Sequence, residues 1–154
     1  MIKSRLAKVL LIAGALGFAG AANAMPATSV INITVPGGGT IAPKTIYKLP
    51  LSQLIAGADY TITCHIGVTN ATKGQSPYIQ IQDTVPYMSG SAVTKINNKT
   101  LHPSIMQSAL KSGTNTFYLS PFQGENDGAG AIGFENLDNS AIFTLSDCMA
   151  TPAV

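Results

Sequence analysis

The chemistry open to this chain depends first on its two histidines, His65 and His102. A serine hydrolase needs a histidine between a nucleophile and an acid, and neither histidine lies in a nucleophile elbow or a comparable motif. A zinc site needs ligands at close spacing, and no such spacing surrounds either histidine. The sequence therefore predicts no catalytic residue and no metal ligand, and we expect a protein that is not an enzyme. A small hydrolase stays a third alternative, which requires a pocket that joins one histidine to an acid and a serine.

Calcium is the one cofactor that the sequence leaves open. Glu125, Asn126 and Asp127 stand among glycines and offer oxygen atoms, which are the ligands that Ca²⁺ prefers. The run lacks the alternating acidic residues and the distal glutamate of an EF-hand. These three residues are therefore a candidate ligand loop, and no cofactor is the first expectation.

Sugar chemistry would need paired carboxylates or a stripe of aromatic rings. The seven acidic residues show no spacing that indicates a glycosidase pair. No aromatic stripe is evident either, although four rings could gather near one edge of the fold: Tyr78, Tyr87, Tyr118 and Phe122.

The first 24 residues have the three parts of a secretory signal peptide. Lys3, Arg5 and Lys8 form a basic start, an apolar run follows at 9–21, and Ala22-Asn23-Ala24 gives a small-x-small cleavage pattern. The apolar run is too short to span a bilayer. We expect residues 1–24 to be removed, residues 25–154 to form a single domain, and the mature protein to be bacterial, secreted or periplasmic, with no stable membrane insertion.

Removal of this leader changes the charge argument. Three of the nine basic residues lie in the leader, which leaves six lysines and no arginine against seven acids. Nucleic-acid binding requires clustered Lys and Arg. The composition therefore excludes nucleic acid as an expected partner.

Cys64 and Cys148 are the only cysteines. In a chain exported to an oxidising compartment, two cysteines have a single intramolecular pairing. We expect a Cys64–Cys148 disulfide, with two free thiols or an intermolecular bond as the alternatives.

The stretch from Leu54 to Val68 contains the strand around which the fold is expected to form. Its apolar residues fall at every second position, which is the period of a strand with one buried face: Tyr60, Ile62, Cys64, Ile66 and Val68. His65 falls on the opposite, outward face. The disulfide would connect this strand to the C-terminal strand.

Short β-patterned segments separated by turn residues occupy most of the remaining chain. Strands are expected at 29–35, 45–48 (an edge strand), 78–84, 91–96, 114–120, 131–136 and 141–146. Asn97-Asn98 indicates a tight hairpin because Asn tolerates positive φ. The hydrophobic phase changes near Asp147, which predicts a bulge.

Ser104 to Ser112 is the one mature segment with a helical pattern. Ser104 is a good N-cap, Gln107 is its capping-box partner, and Gly113 can end the helix. The whole pattern predicts an all-β, antiparallel, immunoglobulin-like β-sandwich of seven to eight strands with this one short helix.

Leu54, Gly57 and Tyr60, spaced Leu-x-x-Gly-x-x-Tyr ahead of Cys64, resemble the tyrosine-corner segment of fibronectin type III and related immunoglobulin-like domains. The resemblance implies that Leu54 packs under a turn, that Gly57 makes the turn, and that the Tyr60 hydroxyl bonds to upstream backbone. In that family the corner lies on the penultimate strand, whereas here a long segment follows it.

These observations favour an exported, non-enzymatic β-sandwich that binds a protein or glycan partner, as a secreted effector or virulence-associated factor would. Recognition is expected through loops such as 71–76 and 123–130, or by strand addition at a sheet edge. The alternative is a structural subunit of a surface assembly, fimbrial or coat-like, in which the segment Ser29 to Val35 acts as a donated strand.

Overall fold

The computed structural model describes residues 29–82, 88–124 and 130–153, with the backbone alone at 88–91. The predicted signal peptide at 1–24 lies outside these ranges. Within them the chain is all-β, as predicted, with one short 3-10 turn at Pro36–Gly39. The strands are β1 Ile31–Asn32, β2 Thr40–Ile41, β3 Ile46–Pro50, β4 Asp59–Thr69, β5 Tyr78–Gln82, β6 Met88–Ile96, β7 Lys99–Thr100, β8 Gln107–Ala109, β9 Gly113–Gln123, β10 Ala131–Asn136 and β11 Ile142–Pro152.

Two antiparallel sheets pack into a β-sandwich. The seven-stranded sheet has the order β1-β11-β4-β9-β6-β7, and β2 pairs with β11 beside β1. The four-stranded sheet has the order β3-β10-β5-β8. An immunoglobulin constant domain divides its strands four and three. The described part of this chain has eleven strands divided seven and four, so the prediction of seven to eight strands was too low.

The core consists of the inward-facing residues of both sheets. The predicted alternation on β4 is confirmed, because Tyr60, Ile62, Cys64 and Ile66 have no exposed surface. The two sheets meet where Phe117 of β9 contacts Phe134 of β10, with ring centroids 5.1 Å apart in an edge-on arrangement. Such aromatic pairs add packing energy to the hydrophobic burial of both rings.

The disulfide between Cys64 and Cys148 is present and joins β4 to its neighbour β11, as predicted. The register of the two strands shifts between Ser146 and Met149, and Asp147 between them has a φ of 49°. This is the predicted bulge. The extra residue restores Cys148 to the buried face, because a strand otherwise alternates strictly.

The helix predicted at Ser104 to Ser112 is wrong. Within this segment, Gln107–Ala109 forms the edge strand β8, paired with β5. The segment is too short to be helical without packing. Alternate residues Ser108 and Leu110 are buried, and the Leu110 N–H donates to the Pro77 carbonyl, so sheet pairing satisfies both the hydrophobic pattern and the backbone hydrogen bonds.

One predicted hairpin and two predicted strands are present in the structure. The Asn97-Asn98 hairpin joins β6 to β7, and both residues have positive φ. The edge strand predicted at 45–48 is β3, which lies at the edge of its sheet. The first strand is shorter than predicted, because only Ile31–Asn32 pairs before the chain reaches Pro36–Gly39.

The 3-10 turn Pro36–Gly39, named here the glycine arch, separates β1 from β2 and packs against β11 at Leu145. Gly37, Gly38 and Gly39 all have positive φ, at 65°, 73° and 70°. A side chain at Gly39 would meet the backbone oxygen of Leu145 at 2.1 Å. Gly39 is therefore required both by its conformation and by its close approach to β11.

Candidate functional site

His65 lies on the outward face of β4, as predicted, and faces the β11 bulge. Its Nδ1 is 3.2 Å from a carboxylate oxygen of Asp147, and both side chains are largely exposed. The hydroxyl of Ser146 donates to the same carboxylate at 3.4 Å. Because that serine contacts the acid and not the imidazole, the three groups do not form a hydrolase triad.

His102 lies in the exposed turn between β7 and β8. Its Nδ1 is 2.7 Å from the Ser104 hydroxyl and accepts a hydrogen bond from the Ser104 backbone N–H at 3.3 Å. No carboxylate of the described ranges hydrogen-bonds to this ring. The absence of enzymatic activity stays a prediction, because these geometries bear only on the histidines.

Glu125, Asn126 and Asp127, the candidate calcium loop, lie outside the described residues. In the part of the chain that is described, no group of three or more His, Cys, Asp or Glu side chains is arranged to hold a metal ion. The calcium site therefore stays a prediction.

Of the three residues of the tyrosine-corner resemblance, Leu54 and Gly57 lie in the turn before β4 and Tyr60 lies at the start of β4. The Tyr60 hydroxyl accepts a hydrogen bond from the backbone N–H of Ile55 at 3.1 Å. Gly57 has a φ of 76° and donates to the backbone oxygen of Gly124, while Leu54 is buried. The contacts are those that the resemblance implies, and they hold the entrance to the central strand.

Of the four aromatic residues considered for sugar stacking, the three that the structure describes do not gather at one edge. Phe122 is fully buried, and Tyr118 lies on the seven-stranded sheet, where the Lys95 ammonium stands 5.4 Å from its ring centroid. Tyr78 belongs to the other sheet and is 51% exposed. Tyr87 lies outside the described residues.

The outer face of the four-stranded sheet carries a cluster of amide side chains that sequence analysis missed. We name it the amide face, and its members are Gln80 and Gln82 on β5, Gln107 on β8, Glu135 on β10 and Tyr78 on β5. Three of the six glutamines in the chain lie on this one face. Their inward neighbours Ile79 and Ile81 belong to the core, which fixes the outward direction of the amides.

Two hydrogen bonds organise the amide face. The Gln107 side-chain amide donates to the Gln80 amide oxygen at 3.2 Å, across the directly paired positions of β8 and β5. The Gln82 amide donates to the Glu135 carboxylate on β10. Each glutamine therefore has a fixed partner and retains further donor or acceptor capacity, since an amide has two N–H groups and two lone pairs.

The amide face has a shallow depression at its centre. Gly133 has no side chain, and it lies between Lys48 of β3 and Gln82 of β5 in the same cross-strand row. Exposed apolar side chains stand at two positions of the rim, Tyr78 and Ile46, and Ile105 is 61% exposed in the turn that leads into β8. The face thus combines a polar floor with apolar borders.

The outer face of the seven-stranded sheet has a different composition. Its outward positions are mostly hydroxyl residues, including Thr61, Thr63, Thr116, Ser120, Thr144 and Thr151. Threonine is enriched in strands because its branched side chain suits a pleated surface. Strand propensity therefore explains this face, whereas it does not explain three glutamines on the other.

The alternation Tyr78-Ile-Gln-Ile-Gln82 was visible in the sequence as a half-exposed strand. The amide face was not predicted because Gln107 was assigned to a helix and not to a strand of the same sheet. Only the pairing of β5 with β8 brings Gln107 beside Gln80.

Comparison of the chain with protein-family models, with curated proteins and with solved structures finds no match. The part of the chain that the structure describes contains no helix with the length and hydropathy of a membrane span.

Proposed function

We propose that this protein is an exported binding module that takes a neutral glycan on its amide face. The observation that carries the proposal is the concentration of three fixed glutamine amides on one solvent-facing sheet surface. An amide donates and accepts hydrogen bonds, as a sugar hydroxyl does, so adjacent amides suit a ligand that presents many hydroxyls.

The charges of the face favour a neutral ligand. Glu135 and Lys48 are oppositely charged and lie on adjacent strands, so the face has no excess of either sign. A phosphate-rich ligand would be repelled by Glu135, and a strongly basic ligand would be repelled by Lys48. Neither ligand would find a cluster of opposite charge on this face.

Tyr78 and Ile105 support the same class of ligand. Sugar rings have apolar C–H faces, and an exposed tyrosine ring offers an apolar surface at one end of the amide row. Tyr78 lies opposite Ala109, whose small side chain leaves its ring uncovered on that side.

The Cys64–Cys148 disulfide is compatible with a secreted or periplasmic protein, because disulfides persist in oxidising compartments. Export through the predicted leader and action outside the inner membrane are part of the proposal.

The proposal is tested by measuring retention of the oxidised protein on an array of neutral oligosaccharides from cellulose, chitin and starch. We expect at least one of these to bind. The variant Gln80→Ala/Gln107→Ala should bind at least about fivefold more weakly, since each of the two lost hydrogen bonds contributes about 0.5–1.5 kcal/mol.

Gln75→Ala is the matched control. Gln75 is exposed in the loop at 71–76, so this substitution removes the same kind of side chain away from the sheet. Its binding should equal that of the unmodified chain. Loss of binding in this variant would assign recognition to the loop, and absence of binding to every neutral glycan would contradict the proposal. Melting temperatures of all three proteins show whether a loss reflects unfolding.

A further inference from the structure

The first strand is held to the sandwich by a small number of contacts. β1 pairs with β11 through only two residue pairs, Ile31 with Ala150 and Asn32 with Met149. One more backbone hydrogen bond follows, from the Ile33 N–H to the Cys148 carbonyl at 2.8 Å. Ile33 is buried, and no described strand precedes β1. Release of β1 would therefore expose one edge of β11 and withdraw Ile33 from the core, and an identical strand would restore both contacts.

The glycine arch after β1 has the properties of a hinge. Gly37 and Gly38 are exposed, and a side chain on either would meet nothing within 4 Å. Packing therefore does not fix these two residues, whereas Gly39 is fixed against Leu145. Glycine also has the widest choice of backbone conformations, so Gly37 and Gly38 can become extended without steric penalty.

We propose that the arm at 29–36 exchanges between two copies of this chain, each arm pairing with β11 of the other copy, with Gly37 and Gly38 as the hinge. Strand exchange of this kind requires no new interface, because an identical arm makes identical contacts with an identical edge. The exchange does not involve the amide face, which lies on the other sheet.

The remaining contacts of the arm would also re-form with the second copy. The Tyr47 hydroxyl donates to the Pro36 carbonyl at 2.6 Å, and the Thr34 N–H donates to the Gln53 side-chain oxygen at 2.9 Å. The Tyr47 phenol is protonated at neutral pH, as tyrosines ordinarily are, and burial raises its pKa further. Both partners belong to the body of the sandwich, and both are available to an arm from another copy.

The test uses two differently tagged full-length mature proteins, one with Asn32→Cys and the other with Met149→Cys. These positions are direct cross-strand partners, and both side chains are exposed. A short bismaleimide joins free thiols and leaves the native disulfide intact. We expect a heterodimeric adduct between position 32 of one copy and position 149 of the other, which increases with protein concentration.

The matched control is the pair Thr40→Cys and Thr144→Cys, which are exposed cross-strand partners on the other side of the glycine arch. Because β2 follows the hinge, this pair should react within one chain when both substitutions are in the same copy, and not between copies. Equal intermolecular adducts for both pairs, or none for the 32 and 149 pair at the highest concentration reached, would overturn the proposal.

A second variant changes the hinge alone. Gly38→Ala strains the closed arch, since an L-residue avoids positive φ, while an extended hinge accepts alanine. We expect a severalfold larger adduct between positions 32 and 149. Gly74→Ala, with a φ of 82° and equally open space in the loop at 71–76, introduces the same strain elsewhere and should leave the adduct unchanged. A decrease with Gly38→Ala would contradict the hinge assignment.

Discussion

Single side chains hold the turns of this fold, and Tyr60 is the most buried of them. Its hydroxyl accepts a hydrogen bond from the Ile55 backbone N–H, and the ring fills the core beneath the turn. Tyr60→Phe should keep the ring packing and lose this hydrogen bond, which lowers the free energy of unfolding by about 1 kcal/mol. Urea denaturation measures the change. Tyr78→Phe, which changes an exposed hydroxyl, is the control, and equal stability of Tyr60→Phe and the unmodified chain would show that the bond contributes nothing.

Asp138 holds the turn between β10 and β11 and makes stability depend on pH. Backbone N–H groups of Ala141 and Ser140 donate to its carboxylate at 2.7 and 2.8 Å, and these bonds lower the pKa of Asp138. A carboxyl with a folded pKa below its unfolded value stabilises the fold above the unfolded pKa of about 4, and this contribution disappears as the pH falls through the folded pKa.

The variant Asp138→Asn keeps the shape of this side chain and removes its charge. Its melting temperature should therefore lie below that of the unmodified chain near neutral pH, and the difference should shrink as the pH falls below about 4. Thermal melts from neutral to strongly acidic pH provide the measurement. A difference that stays constant over the whole range would mean that the charge is not responsible.

Among the elements, β4 and β11 are joined twice, by their ladder and by the disulfide between Cys64 and Cys148. The two cysteines are 84 positions apart, and closing a loop of that size stabilises the fold by about 4–5 kcal/mol at most in the chain-entropy model. Cys64→Ser and Cys148→Ser break the same bond. Each should lower the unfolding free energy by a similar amount, and the double variant should add little more. Losses that add in the double variant would indicate two independent roles.

The sequence predicted correctly the strands in which alternating apolar residues form one buried face. β4 and β10 were predicted within a few residues because apolar residues alternate along them, and the Asn97-Asn98 turn was predicted because its residues tolerate positive φ. The segment from Ser104 to Ser112 was predicted wrongly because Met106 and Leu110 fit both a helical spacing and a strand alternation. Pairing with the free edge of β5 favours the strand over the helix, and no local sequence pattern indicates that this edge is available.

For the whole molecule, the sequence predicted the fold class and the disulfide, and it did not predict which strands share a sheet. The amide face illustrates the reason. Gln80 and Gln107 are 27 positions apart, and Glu135 comes from a third strand, so their proximity depends on non-local pairing. Composition and residue spacing along the chain do not predict which strands pair.

The most direct measurement is a titration of the oxidised, isotope-labelled protein with neutral oligosaccharides, monitored by the NMR signals of the six glutamine side-chain amides. We expect the Gln80, Gln82 and Gln107 signals to shift together with one saturation curve, while those of Gln75 and Gln53 stay in place. Gln53 is a useful internal reference because its side chain bonds to Thr34 and is not part of the amide face. Shifts confined to Gln75, or no shift at any glutamine, would contradict recognition by the amide face.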